Sequence, residues 1–318
     1  PDDYLPNIWE YGMFSDKKYG VPTALCLLMI YYNKTIFREM GLDPDCPPKT
    51  LDELTSVAHR LSLYDENDKL KRIGFVPSTT YIWFWNFGGR IYDAETRRFT
   101  FHSPENLRAL EWMTSFYREY GIDQYRRFVA TYGEYDSPNN PLYTGKFAMR
   151  EDGQWQISFI KQYAPSLDYG IMPYVSMVEG QKSVSSVSGS FWVIPTGCPH
   201  PEEAWEFLHW LISPPQSSRF AAALANIPPL KDSLYHDNYR DTLQSKMKIF
   251  IDLFLEGRTR YLPALPVGQL LNTELSGMEE NVYAGDLTPK EGLKLLDERL
   301  QKELDKELHN LGLDRNPS

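Results

Sequence analysis

The apolar run at 24–32 is short, continuous and ends on Tyr31 and Tyr32, which predicts a strand covered on both faces. Asn33 and Lys34 close it, and 35–40 reads as a short helix stopped at Gly41. Thr50-Leu51-Asp52-Glu53 is a capping box, after which Leu54, Val57, Ala58 and Leu61 recur at helical spacing. Strands are expected at 73–77, 167–173 and 191–195. Ser103-Pro104 predicts a helix start, its apolar face made of Leu107, Leu110, Met113, Phe116 and Tyr117. The pattern at 202–213 is amphipathic, with Trp205, Leu208 and Leu211 as the expected buried stripe. Further helices are expected at 241–256 and 269–284. Thr288-Pro289-Lys290-Glu291 caps a last one carrying Leu293, Leu296, Leu300 and Leu304.

Two aromatic stretches stand apart from this pattern. In 145–155 an apolar strand at 146–149 gives way to a polar turn pivoting on Gly153, and Trp155 opens the next helix. A side chain held at a strand end lies where open sheets place their ligands. An indole there offers a stiff apolar face and one N–H donor. The residues alone leave two readings open for Trp155: core anchor or ligand platform. The second stretch, 78–87, packs Tyr81, Trp83, Phe84, Trp85 and Phe87 before Gly88-Gly89. Neighbouring positions on a helix diverge in direction, so at least one of these rings should face a cleft. The segment 120–143 reads as a long aromatic loop, which is usually functional or mobile.

Composition narrows the classes. A net charge of −10 over 318 residues argues against nucleic-acid or anionic-membrane partners, which need basic stripes. Cys26, Cys46 and Cys198 are scattered and odd in number, so they form neither a disulfide framework nor a CxxC pair. No run approaches the roughly 20 apolar residues that cross a bilayer. There is no Gly-rich dinucleotide loop, phosphate loop, HExxH or GxSxG, and the histidines are isolated from one another. The acidic turn 65–68 lacks the glycine and glutamate of a calcium loop and reads as a solvated hairpin. Glu151 and Asp152 could form half of a glycosidase pair, but no opposing carboxylate is visible, so a capping or solvated-turn role is expected. Neither catalysis, nor a cofactor, nor a metal is expected.

Taken in order, the landmarks form a set. They are Tyr19-Gly20-Val21-Pro22, Tyr31-Tyr32-Asn33-Lys34, Met40-Gly41-Leu42-Asp43, Pro48-Lys49-Thr50-Leu51-Asp52-Glu53-Leu54 and the aromatic helix before Gly88-Gly89. Gly145-Lys146-Phe147-Ala148-Met149, Gly153-Gln154-Trp155, the stretch 187–195 and Pro201-Glu202-Glu203-Ala204-Trp205-Glu206-Phe207-Leu208 follow. In this order, over nearly the whole chain, they resemble the family 1 extracellular solute-binding proteins, the sugar-binding components of bacterial ABC importers related to maltose-binding protein. Members of that family carry further residues before this point, so the resemblance implies a chain without its first segment and a first lobe left incomplete.

The resemblance implies a two-lobed α/β protein of the type II periplasmic-binding (Venus-flytrap) fold whose lobes close over a ligand by a hinge motion. One lobe is expected from 1–24 and 193–243, the other from 28–187 and 244–318, with crossings near 25–28, 188–192 and 239–250. It carries a stacking role onto Trp155 and ligand contacts onto the segment holding Ser78, Tyr81 and Trp83. Asp152, Gly189, Ser190 and Asn272 are further candidates, Asp152 as an acceptor for a hydroxyl. A sugar has C–H faces that lie on an indole and a rim of hydroxyls that needs polar partners.

The implied function is capture of a mono- or oligosaccharide and its delivery to ABC-transporter permease subunits. The implied place is outside the cytoplasm, in the periplasm or as a cell-surface lipoprotein, and the implied state is a monomer. The same fold could instead take a glycerophosphodiester, a polyamine or a metal chelate. Arg150 stands alone near Trp155, which disfavours an anion. A glycoside hydrolase would need two carboxylates across the cleft.

Overall fold

A computed structural model describes residues 2–5, 8–14, 17–132, 135–240 and 245–313. The apolar run becomes a 13-residue strand, β1 (Val21–Asn33). Side chains of a strand alternate between faces, and each face of β1 meets a different core. Ile30 and Tyr32 enter one core, while Leu25, Leu27, Met29 and Tyr31 enter the other. That double burial is why its sequence is continuously apolar rather than alternating.

One edge of β1 pairs antiparallel with β2 (Met149–Gly153). The other edge is shared by two antiparallel partners: β3 (Tyr169–Met172) along 30–33 and β4 (Ser185–Trp192) along 21–27. A short β5 (Thr259–Arg260) adds to β4 in parallel, completing five strands. The first core is closed by the helices Leu51–Leu61, Thr80–Asn86, Pro104–Tyr120, Gly268–Ala284 and Pro289–Asn310. Their starts follow from sequence. Thr50 and Thr288 form the capping boxes with Glu53 and Glu291, and Ser103 accepts from the Asn106 N–H. Leu293, Leu296, Leu300 and Leu304 are all buried, as their spacing requires. The second core gathers Tyr4, Leu5 and Ile8 with Ala221, Ile227, Phe250 and Phe254, and it also takes in Leu142, Ile157, Ile160 and Tyr169.

Several expectations are corrected. The strand expected at 146–149 lies later, so Gly153 ends β2 instead of forming a turn, and Glu151 and Asp152 are buried strand residues rather than solvated ones. The stretch 73–77 makes only an isolated parallel bridge from Ile73 to Phe147. β4 starts at Ser185, because the small polar run before Phe191 pairs with β1 and needs no apolar alternation to do so. The supposed loop 120–143 contains a helix, Ile122–Val129, and Pro214 starts another, Pro214–Leu224. Residues 133–134 of that loop, and 241–244 of the helix expected at 241–256, lie outside the described residues. The rest of that helix is Ser245–Met247 and Lys248–Leu255. In Pro201–Leu211 only Leu208 is buried; Trp205 is 46% exposed, and its ring borders an apolar groove with Trp9 and Trp192.

Candidate functional site

Adjacent residues of a strand project to opposite sides, so β2 presents Glu151 and Asp152 to different surroundings. Each carboxylate organises one of the two aromatic stretches.

Glu151 is buried. Its Oε1 accepts from the Trp83 indole N–H at 2.6 Å and from the Ser78 backbone N–H at 3.3 Å, and its Oε2 accepts from the Ser78 hydroxyl at 3.0 Å. Burial pushes its carboxyl up, and these donors pull in the opposite direction. Trp83 has no exposed surface and packs edge-on against Phe75 and Tyr174. It lies in the first core rather than on an open surface. Ile82, Phe84, Trp85 and Phe87 are buried with it, so the core wraps nearly all of this helix, and Tyr81 is its half-buried ring. Tyr81 meets Trp85 edge-on at 5.3 Å, its hydroxyl faces Ser186 on β4, and burial raises its pKa.

Asp152 faces the other way and is also buried. Its Oδ1 accepts from the Tyr135 hydroxyl and from the Gly153 N–H at 2.8 Å. Its Oδ2 accepts from the Gln156 amide at 2.7 Å and lies 3.6 Å from Arg150 Nε. Burial pushes this carboxyl up too, while Arg150 and the hydrogen bonds oppose the shift. Tyr143 donates to the Gln156 carbonyl, which fixes which end of that amide meets Asp152. Tyr135, having donated to Asp152, accepts the Trp155 indole N–H at 2.6 Å. The Arg150 guanidinium stands over the Tyr135 ring at 5.2 Å.

Trp155 is half-buried at the start of the helix Gln156–Tyr163. Its six-membered ring lies on Gly153, where an added Cβ would come within 2.1 Å of Cζ3. The structure thus joins Trp155 and Asp152 through Tyr135, and Ser78 and Trp83 through Glu151. Gly189 lies on β4, where a Cβ would meet the Ala24 carbonyl at 2.5 Å, and it faces the Tyr11 hydroxyl through its backbone. Ser190 is exposed, its carbonyl accepting from Thr23 Oγ1 at 3.1 Å. Asn272 is exposed on Gly268–Ala284, and among the described residues no hydrogen bond links it to the Trp155 group. Tyr135, Gln156 and the role of Glu151 were missed. Gln156 had a signal, because it stands four residues from Asp152. Tyr135 had none, being 20 residues from the indole it holds.

Among the described residues no group of three or more His, Cys, Asp or Glu is placed to hold a metal ion, and no helix is long and apolar enough to cross a membrane.

Comparison with known proteins gives a consistent picture. Residues 2–246 match the family described as bacterial extracellular solute-binding protein. The chain is similar to the mannobiose-bound structure of CpMnBP1, with a TM-score of 0.83 and 27% identity, covering 93% of this chain and 75% of that one. It is similar to an ABC transporter solute-binding protein of Thermotoga lettingae bound to α-D-tagatose, with a TM-score of 0.78 and 25% identity, covering 95% and 76%. The sn-glycerol-3-phosphate-binding periplasmic protein UgpB of Salmonella typhimurium is 26% identical over 213 residues, 60% of this chain and 44% of that protein.

Proposed function

The chain belongs to the bacterial extracellular solute-binding proteins, and from that membership we propose that it captures a mono- or oligosaccharide between two lobes and delivers it to an ABC importer. The observation that carries this reading is the half-buried indole of Trp155, fixed at both ends, which suits the C–H face of a pyranose. The similar structures with mannobiose and tagatose support the same ligand class. Tyr81, half-buried beside Ser186, and the exposed Ser78 hydroxyl are the next contacts we assign. Asp152 and Trp83 act behind them: the oxygens of one already hold protein donors, and the other has no open surface.

The lobes in this reading are 1–24 with 193–243 and 28–187 with 244–318, hinged near 25–28, 188–192 and 239–250. The change of β1 partner from β4 to β3 supports a crossing there. Ile157 and Ile160, which share the second core, run across that division.

The protein acts as a monomeric carrier outside the cytoplasm, with permease subunits as partners and no nucleic acid. It catalyses nothing in this reading. Glu151 and Asp152 project from opposite faces of one strand and so cannot flank one glycosidic bond. The relationship to UgpB favours a second reading, a glycerol phosphate. A phosphate needs a free cation, and Arg150 is engaged with Asp152 and the Tyr135 ring. A thermal-shift screen of sugars against glycerol 3-phosphate and polyamines tests the choice. Stabilisation by sugars alone supports it, and stabilisation by a non-sugar alone overturns it.

A further inference from the structure

We propose that Tyr135 is a positioning residue for Trp155, whose hydroxyl takes the indole N–H out of reach of any ligand and fixes the plane of the ring, so that the site reads its ligand through an aromatic face alone. This rests on the reading of Trp155 as a sugar platform.

The geometry is directional. Asp152 is an acceptor, so Tyr135 must donate to it, and the same hydroxyl oxygen is then open to accept from Trp155. The Gly153 N–H and the Gln156 amide also donate to Asp152, so every proton in this chain points toward one carboxylate and none is left ambiguous. The indole is held at two places: its nitrogen by Tyr135 and its six-membered ring by the bare Cα of Gly153. A ring pinned at both ends cannot turn its N–H toward a sugar hydroxyl. Tyr135 stands 20 residues before Trp155 in the chain, so a change there acts on the platform only through this hydrogen bond.

The test uses the full chain labelled with 15N-tryptophan. A Trp155→Phe variant assigns the Trp155 indole signal among the 8 tryptophans. Affinity for mannobiose is measured by calorimetry for the wild type, Tyr135→Phe, Trp155→Phe and the double variant. In Tyr135→Phe the Trp155 indole signal is expected to shift and exchange faster with water. Binding is expected to weaken by about three- to tenfold in the wild-type background, with no further loss on top of Trp155→Phe. An indole signal that stays in place overturns the proposal. So does an equal loss of affinity in both backgrounds, which would make Tyr135 a direct contact. If the wild type binds no sugar while the indole signal moves as expected, the clamp stands and the carbohydrate reading is what fails.

Discussion

The indole N–H of Trp83 donates to Glu151 Oε1 across 2.6 Å, and neither residue has more than a trace of exposed surface. A buried carboxylate is tolerated only where donors surround it, and here the Ser78 backbone and hydroxyl and the Thr79 side chain join Trp83 around it. The aromatic helix is thereby tied to β2, and Tyr81 is the ring left half-open.

Glu151→Ala is expected to remove this tie and leave the fully buried Trp83 N–H without its acceptor. Stability should fall by about 3 kcal/mol. Glu151→Gln keeps an acceptor for Trp83 and should cost less than half as much. Urea unfolding of the two variants distinguishes them, and equal losses would mean that an amide oxygen cannot stand in for the carboxylate as the acceptor for Trp83.

Glu279, on Gly268–Ala284, has its carboxyl pushed up to about 7 by burial, with the Glu151 charge adding to the shift. A carboxyl raised in the folded state binds protons more tightly than in the unfolded chain, so this group stabilises most below its unfolded value near 4.5. That contribution is lost as pH rises through about 7, to a total of at most about 3 kcal/mol. Glu279→Gln should therefore raise the melting temperature at pH 8 more than at pH 5. Equal effects at the two pH values would show that the group does not titrate in this window.

Gly153→Ala places a Cβ against the Trp155 ring. Stability should drop by about 1–3 kcal/mol, and the ring should leave its perch. Because the clash is with the indole, the loss should largely vanish when Trp155→Ala is present. A double-mutant cycle by thermal unfolding reads this directly, and a loss of the same size in both backgrounds would place the strain in the backbone.

The elements were legible wherever local chemistry decides them. Thr50 and Thr288 announce their helices through capping boxes, and 24–32 announces β1 because both of its faces are covered. Register was not legible. The strand at β2 lies later than its apolar residues suggest, because Glu151 and Asp152 are buried through partners that sequence does not reveal. The exposed face of Trp205 was misjudged for a related reason: amphipathic spacing identifies an apolar stripe but not what covers it. Of the site, Trp155 could be singled out by its place after Gly153, whereas Tyr135 is joined to it only by the fold.

The most direct test is intrinsic tryptophan fluorescence during titration with mono- and oligosaccharides, mannobiose among them, repeated on Trp155→Ala. A saturable change with one sugar class, weakened roughly 10- to 100-fold in a variant that still melts cooperatively, is the predicted result. A cooperatively folded wild type that responds to no sugar, or a Trp155→Ala variant that binds as tightly as the wild type, would contradict it.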